Sequence, residues 1–231
     1  MNFHNASSRA LRATAAIALI ALLGISGCKL SSKQKSSEAR SEAKHESPAD
    51  AIPALSSAAS CIIDTLRDPK EPLHFSMLRK DDDLPGPFIS EADLTPDTLE
   101  GSAKSSSGDV HKFSNVHTDA RGWGMSVILL TAPLTSATGD MRMAQASVTS
   151  AGAESAGGFD TIKYVFDTAR LPDSEQLAYK SMLNSKDLRV SGTAWITKDT
   201  RCMMKFVADF NYTAQNGAVS NNHYEGSLAK K

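Results

Sequence analysis

The sequence predicts an α+β domain in which a largely antiparallel sheet packs on about three helices. Three observations predict this class. Most strand-like segments follow one another across short polar connections, as hairpins do. The helical segments do not alternate regularly with single strands, which favours α+β over α/β architecture. The chain also shows no internal repeat and no second domain.

The composition of the chain sets limits on its class. Its 231 residues are 41% hydrophobic and 22% charged, which fits one globular domain with appendages and excludes a wholly disordered chain. The net charge of −1 gives no general attraction to nucleic acid, so no nucleic-acid partner is expected. No apolar run reaches the roughly 18–20 residues that span a bilayer.

The N-terminal segment 1–27 has the pattern of a bacterial export signal. Arg9 and Arg12 precede a short apolar stretch, residues 13–25. The next residues, Ile25-Ser26-Gly27-Cys28, resemble the lipobox, in which an aliphatic residue and two small residues precede an acylated cysteine. We therefore expect cleavage before Cys28 and lipidation of Cys28. The alternative is an ordinary signal peptide followed by an accidental cysteine.

A polar segment follows the expected lipidation site. Residues 29–51 are rich in Ser, Lys and Glu and offer little apolar surface to bury, which predicts a flexible tether over residues 28–51 and one folded domain over residues 52–231. The resulting expectation is a protein held to the bacterial cell envelope by its lipid and facing the periplasm. Lys29 follows the cysteine in place of aspartate, which favours the outer membrane under the lipoprotein sorting rule.

Two cysteines remain in the folded domain, Cys61 and Cys202. An even remainder in an exported protein predicts a disulfide, which would join the first helix to a strand near the end of the chain. Two separate buried thiols are the alternative. The histidines are scattered without the paired spacing of zinc ligands, so neither a metal nor another cofactor is expected.

Three segments are predicted to be helices. Leu55, Ile62 and Leu66 recur at helical spacing within residues 53–67, and prolines follow. A second helix is predicted to begin at Pro133, because apolar residues share one face after it. The third begins near Asp173, with Gln176 in capping-box position, and runs to about residue 184.

The remaining apolar segments are predicted to be strands. Those with the clearest alternation are Leu73–Arg79, Thr98–Lys104, Val110–His117, Phe159–Asp167, Leu188–Thr197, Met203–Tyr212 and Val219–Ala229. Residues 123–130 form an apolar run that we interpret as a buried strand, and residues 150–158 as a loop of small residues. Asn216-Gly217 predicts a tight hairpin, since both central positions of that turn favour positive φ.

Three pieces of the domain together resemble a known family. They are the passage from Cys61–Leu66 to Leu73–Met77, the segment Tyr164–Asp167, and Gly192–Trp195 with its return strand Met204-Lys205-Phe206. This pattern resembles envelope lipoproteins of the LolA/LprG-like group, although the glycine usual in the turn is replaced by residues 200–202. The resemblance implies a curved antiparallel sheet, a half-barrel around helices, whose concave apolar face holds acyl chains.

The strand faces supply candidate residues for a lipid site. The candidates are Ile162, Tyr164, Phe166, Trp195, Met204, Phe206, Phe210 and Tyr212. The same alternation is typical of an ordinary core, which remains the alternative. Trp195 lies on the face opposite Ala194 and Ile196, where it either floors a cavity or shields the outer side of the sheet.

Two functions are compatible with the sequence. The chain carries none of the sequence patterns of activated nucleophiles, metalloproteases or phosphate loops, so a non-catalytic protein is expected. The first function is a membrane-anchored lipoprotein that binds or carries a lipid or acylated molecule in the half-barrel. The alternative is an accessory lipoprotein without ligand, which docks an envelope protein complex through a strand edge or the Asp81–Asp83 loop.

Overall fold

A computed structural model describes residues 52–231 of the chain. The expected signal peptide, the lipidation site Cys28 and the tether lie outside the described residues. Residues 52–231 form three α-helices and one nine-stranded sheet, with two short 3₁₀ turns. The α+β class predicted from the sequence is therefore confirmed.

The helices are α1 (Leu55–Arg67), α2 (Ala120–Met143) and α3 (Asp173–Met182). The start of α1 lies beside the end of α2, because the backbone N–H of Leu55 donates to the Gln145 side chain at 2.7 Å. The opposite end of α1 contacts the start of α2, where the Trp123 indole donates to the carbonyl oxygen of Leu66 at 3.0 Å. The two helices therefore run antiparallel against one face of the sheet.

All strand pairs in the sheet are antiparallel, and the sheet is curved but not closed. The strands are β1 (Leu73–Asp81), β2 (Phe88–Leu94), β3 (Thr98–Lys104), β4 (Val110–Val116), β5 (Thr149–Ala156), β6 (Phe159–Asp167), β7 (Ser185–Thr197), β8 (Met203–Ala214) and β9 (Val219–Lys230). Their order is β4-β3-β2-β1-β9-β8-β7-β6-β5, so β4 and β5 are the edges. The predicted half-barrel architecture is confirmed.

The prediction of a buried strand at residues 123–130 is wrong, because these residues form the first half of α2. The helix also begins before Pro133 rather than at it. The apolar run is continuous because α2 has apolar residues on both of its faces, and such a run does not distinguish a helix from a strand by periodicity. Asp119 caps the helix by accepting the backbone N–H of Gly122 at 3.0 Å.

The prediction of a loop at residues 150–158 is also wrong, because most of it is the edge strand β5. Its small residues give no alternation to detect, and pairing with β6 rather than side-chain propensity holds the strand in place. The connecting glycines, Gly157 and Gly158, both have positive φ, as a tight hairpin turn requires. The Gln176 side chain donates to the carbonyl oxygen of Leu171 at 2.8 Å, so the expected capping box is absent from α3.

The core lies between the helices and the face of the sheet that contacts them, here called the inner face. Two phenylalanine rings lie against glycines of neighbouring strands. A side chain on Gly192 would approach the Phe166 ring within 2.7 Å, and one on Gly226 would approach Phe206 within 2.3 Å. Both glycines are therefore required for close packing rather than for a special backbone angle.

The predicted disulfide between Cys61 and Cys202 is confirmed. It joins α1 to the turn before β8, with 5.3 Å between the two Cα atoms and 141 residues of sequence separation. The hydroxyl of Thr65 lies 3.7 Å from the sulfur of Cys202. In the chain-entropy model, a loop of this length contributes about 4–5 kcal/mol to stability.

Candidate functional site

Seven of the eight candidate residues share the inner face of the sheet. The register pairs Ile162 with Ile196, Tyr164 with Ala194, and Phe206 with Gly226. The other four inner-face candidates are Phe166, Met204, Phe210 and Tyr212. The predicted alternation therefore assembles these residues from β6 and β8 into one apolar surface.

The inner face differs in burial from one end to the other. Tyr164, Phe166, Met204 and Phe206 are buried in the core formed with α1 and α2, and we call this region the buried end. Further along β8, Phe210 and Tyr212 are only half-buried, and their rings stack with 6.4 Å between centroids. Phe210 and Tyr212 therefore pack against the edge of the core and leave only part of their apolar surface exposed.

Trp195 lies on the outer face of the sheet, apart from the other candidates. Its neighbours in register are Lys163 and Lys205, whose Nζ atoms lie 5.1 and 4.8 Å from the indole ring. Lys163 also pairs with Glu154 at 3.2 Å. Trp195 therefore shields the outer side of the sheet and does not floor a cavity. Cation–π contacts cover its ring.

A charged group lies on the inner face beside Phe210, and we call this region the polar end. It contains Arg79, Asn222 and Tyr224 from β1 and β9, together with Asp140 from α2. The Tyr224 hydroxyl donates to Asp140 at 2.9 Å, and the Arg79 guanidinium lies over the Tyr224 ring at 5.8 Å. Arg79 also pairs with Asp81 at 2.7 Å. Three charged groups thus meet beneath the end of α2.

Burial dominates the electrostatics of the polar end. Desolvation raises the pKa of Asp140 to about 6, although the hydrogen bond from Tyr224 and the charge of Arg79 oppose it. Burial also raises the pKa of the Tyr224 hydroxyl, and the Asp140 carboxylate adds to that effect. Asp140 therefore changes its charge close to neutral pH while Tyr224 remains a hydrogen-bond donor.

Two buried polar atoms at the polar end have no hydrogen-bond partner within residues 52–231. They are Nε of Arg79, a donor, and Oδ1 of Asn222, an acceptor. Arg79 pairs with Tyr224, and Asn222 with Asp81 on the same strand as Arg79, so both side chains lie on the inner face. Buried polar groups almost always have partners, so an unpaired donor and an unpaired acceptor on the same face of two neighbouring strands indicate a place for a polar ligand group or water.

The sequence interpretation missed the polar end. A signal for the polar end is present on β1. Leu73, Phe75 and Met77 point to the inner face, and the next residue on that face is Arg79. A charge in the apolar register of a strand predicts a buried ion pair or a binding group. Asp140 could not be associated with Arg79 from the sequence, because the two belong to separate elements.

Three histidines of the described domain, His74, His117 and His223, contact carboxylates or backbone oxygens. His223 lies between Asp209 and Glu225 at 2.7 and 2.9 Å, and His117 contacts the carbonyl oxygen of Arg67. Within residues 52–231, no three His, Cys, Asp or Glu side chains are arranged to hold a metal ion. Across the same range, no helix combines the length and hydropathy needed to cross a bilayer.

The fold and the site together define a class of protein: a half-barrel of antiparallel strands whose inner face is filled at one end and polar at the other. No protein-family model matches the chain, and no curated protein matches it. A function for the chain must therefore be inferred from its own residues and contacts.

Proposed function

We propose that the chain is a non-catalytic lipoprotein of the bacterial envelope, anchored through Cys28, that binds an amphiphilic molecule at the polar end. The apolar part of the ligand lies on Phe210 and Tyr212. Its polar group contacts Arg79 and Asn222. The observation that carries this proposal is the unpaired donor and acceptor buried on the same face as two partly exposed aromatic rings.

The charges of the polar end favour one class of head group. The Asp81 and Asp140 carboxylates accompany a single guanidinium, that of Arg79, so an anionic group would meet net repulsion when both carboxylates are ionised. A hydroxyl or an amide both donates and accepts, which matches Nε of Arg79 and Oδ1 of Asn222. The expected ligand therefore has an acyl chain or another apolar body and an uncharged hydroxyl- or amide-bearing end.

The test uses the mature chain exported behind an ordinary cleavable signal, with Cys28→Ser to prevent acylation, and purified without detergent. Native mass spectrometry should show an added mass of several hundred daltons, which extraction identifies as an amphiphile. Phe210→Glu should remove it, because a charge replaces the apolar contact.

The matched control for this test is Val207→Glu, which places the same charge on the outer face of the same strand. This variant should retain the ligand. Met204→Glu is unsuitable because Met204 is buried in the core. A bare mass for the unsubstituted chain, or equal loading of Phe210→Glu and Val207→Glu, contradicts the proposal.

An accessory docking protein is the second candidate, and the filled buried end favours it. Tyr164, Phe166 and Phe206 already contact the chain's own core, which leaves them no surface for a ligand. A partner would then use an edge strand or the Asp81–Asp83 loop. In that loop Asp82 accepts from Asn221 at 2.7 Å, so Asp83 is the better substitution for disrupting a partner without disturbing the fold.

A capture experiment tests the docking function. The acylated chain, cross-linked in intact cells, should enrich one envelope protein that is lost with Asp83→Lys or with Val110→Lys on the edge strand β4. Val110 is 55% exposed, so its substitution should leave the fold unchanged. If both variants capture the same proteins as the unsubstituted chain, the result counts against docking through these surfaces.

A further inference from the structure

The long helix α2 has an uncharged stripe on the side turned away from the sheet. The stripe consists of Met125, Ile128, Leu129, Ala132, Thr135, Ser136 and Gly139, all exposed. Met125 and Ile128 are each more than half exposed. The opposite face of the same helix packs into the core through Val127, Leu130 and Leu134. The first half of α2 is thus apolar on both faces, and such a helix normally has both faces covered, so Met125, Ile128 and Leu129 indicate a missing contact.

Two arginines bound the uncharged stripe. Arg121 precedes Met125 by four residues, and Arg142 follows Gly139 by three, so both lie on the same side of the helix and both are exposed. They are separated by about 30 Å along the axis at 1.5 Å per residue. The one carboxylate in this part of α2, Asp140, turns inward to the Tyr224 hydroxyl.

This arrangement matches an interfacial helix that lies in the plane of a membrane. Such helices insert apolar side chains about 5–10 Å into the lipid while basic side chains reach the head groups. Arginine stems extend along the apolar surface and carry the charge toward phosphates. Arg121 and Arg142, with no carboxylate exposed between them on the stripe, complement an anionic lipid surface.

The length of the expected tether allows the stripe to reach a membrane. The described chain begins at Ile52, and Gln145 directly beyond α2 holds this start by donating to the carbonyl oxygen of Pro53 at 3.2 Å. Residues 28–51, which join Ile52 to the expected lipid, extend at most about 80 Å. The stripe lies within roughly 30 Å of that attachment point along the helix axis. An anchored domain therefore has ample chain length to lay α2 on the same bilayer.

We infer that α2 docks on the bilayer through its uncharged stripe, so that the domain lies on the membrane rather than standing away from it. The occupant of the stripe is a lipid surface that contains anionic head groups. This inference rests on the proposed lipid anchor, which brings the domain to the membrane. It does not depend on the ligand proposed for the polar end.

The test uses the full chain, exported, acylated and reconstituted into vesicles of phosphatidylethanolamine and phosphatidylglycerol. Part of the phosphatidylethanolamine has dibrominated acyl chains, which quench nearby tryptophan. Ile128→Trp places a reporter on the stripe, and the native Trp123 and Trp195 are almost fully buried. The emission of the tryptophan introduced by Ile128→Trp should fall about twofold in these vesicles, as expected for a ring inserted among the acyl chains.

The matched control is Leu177→Trp on α3, where the replaced side chain is 68% exposed and lies between charged residues. It should show no more quenching than the unsubstituted chain. Arg121→Glu with Arg142→Glu, in the Ile128→Trp background, should restore most of the emission, because two acidic groups repel phosphatidylglycerol.

Three results would overturn the inference. If the chain floats with the vesicles but Ile128→Trp is quenched no more than Leu177→Trp, the anchor stands and the docking fails. If the chain does not float, both the anchor and the docking fail. If the emission of the Ile128→Trp variant is that of a buried tryptophan even in the absence of vesicles, and the purified chain is a dimer that Ile128→Glu dissociates, a second copy covers the stripe instead.

Discussion

The buried end and the polar end of the inner face are built by the same strands, yet they differ in what covers them. At the buried end, Phe206 lies under the helices and against Gly226. At the polar end, Phe210 is only partly buried, and Asp140 from α2 meets Tyr224 instead of an apolar side chain. The alternation of apolar residues along a strand therefore determines which face they occupy. The helices packed on that face determine which part of it is buried.

The largest expected effect at the buried end comes from the disulfide. Replacing both Cys61 and Cys202 by serine should lower the free energy of unfolding by up to about 4–5 kcal/mol, because the unfolded chain regains the entropy of a long open loop. Urea unfolding under non-reducing conditions measures the loss. The unsubstituted chain in dithiothreitol serves as the control and should match the double variant. A loss below about 1 kcal/mol contradicts the expectation.

A pair of phenylalanine substitutions tests the two ends directly. Phe206→Ala should cost about 3–5 kcal/mol, because it leaves a cavity over Gly226 in a fully packed region. Phe210→Ala, on the same strand, should cost about 1–2 kcal/mol, because its ring is already partly exposed. Denaturant midpoints of both variants at one pH give the comparison. Equal costs would mean that the polar end is as tightly packed as the buried end.

The last expected effect is a pH dependence confined to the polar end. The pKa of Asp140, about 6 in the folded protein against an ordinary 3.8, means that folding favours the protonated carboxyl. Relative to Asp140→Asn, the unsubstituted chain should therefore lose stability as the pH rises from about 4 to 6, by about 2–3 kcal/mol in total. Urea unfolding of both chains at pH 4 and pH 7 measures the difference.

Asp167 provides a control of opposite sign for the Asp140 experiment. The ion pair with Arg189 holds the pKa of Asp167 below its ordinary value, so its contribution to stability is present above that value and is lost as the pH falls. Asp167→Asn should therefore cost stability at pH 7 and little in acid. A stability difference for Asp140→Asn that does not change with pH would show that Asp140 is not desolvated.

Local patterns predicted much of the fold. The bounds of β3 and β6 agree with the alternating segments Thr98–Lys104 and Phe159–Asp167, because each strand has one buried face. The disulfide followed from the count of cysteines left in a chain expected to be exported. In each case the decisive information lies within a few residues or in the number of one residue type.

The elements that the sequence did not predict depend on contacts between distant residues. β5 is a strand because β6 pairs with it, and its own residues are small and polar. The first half of α2 has an apolar run without a polar face, so no periodicity separates helix from strand. The polar end requires β1, β9 and α2 to meet, which no local pattern of Arg79 or Asp140 encodes.

The disulfide also determines how the domain would respond to mechanical force. For a pull between Ile52 and Lys231, the bridge carries tension directly from Cys61 to Cys202 and bypasses the 140 residues between them. Only about 40 residues can then extend, to roughly 140 Å, whereas the reduced chain would reach about 600 Å. With this bridge the domain is a short, stiff mechanical element, in which β1 to β7 remain unloaded even after β8 and β9 are pulled away.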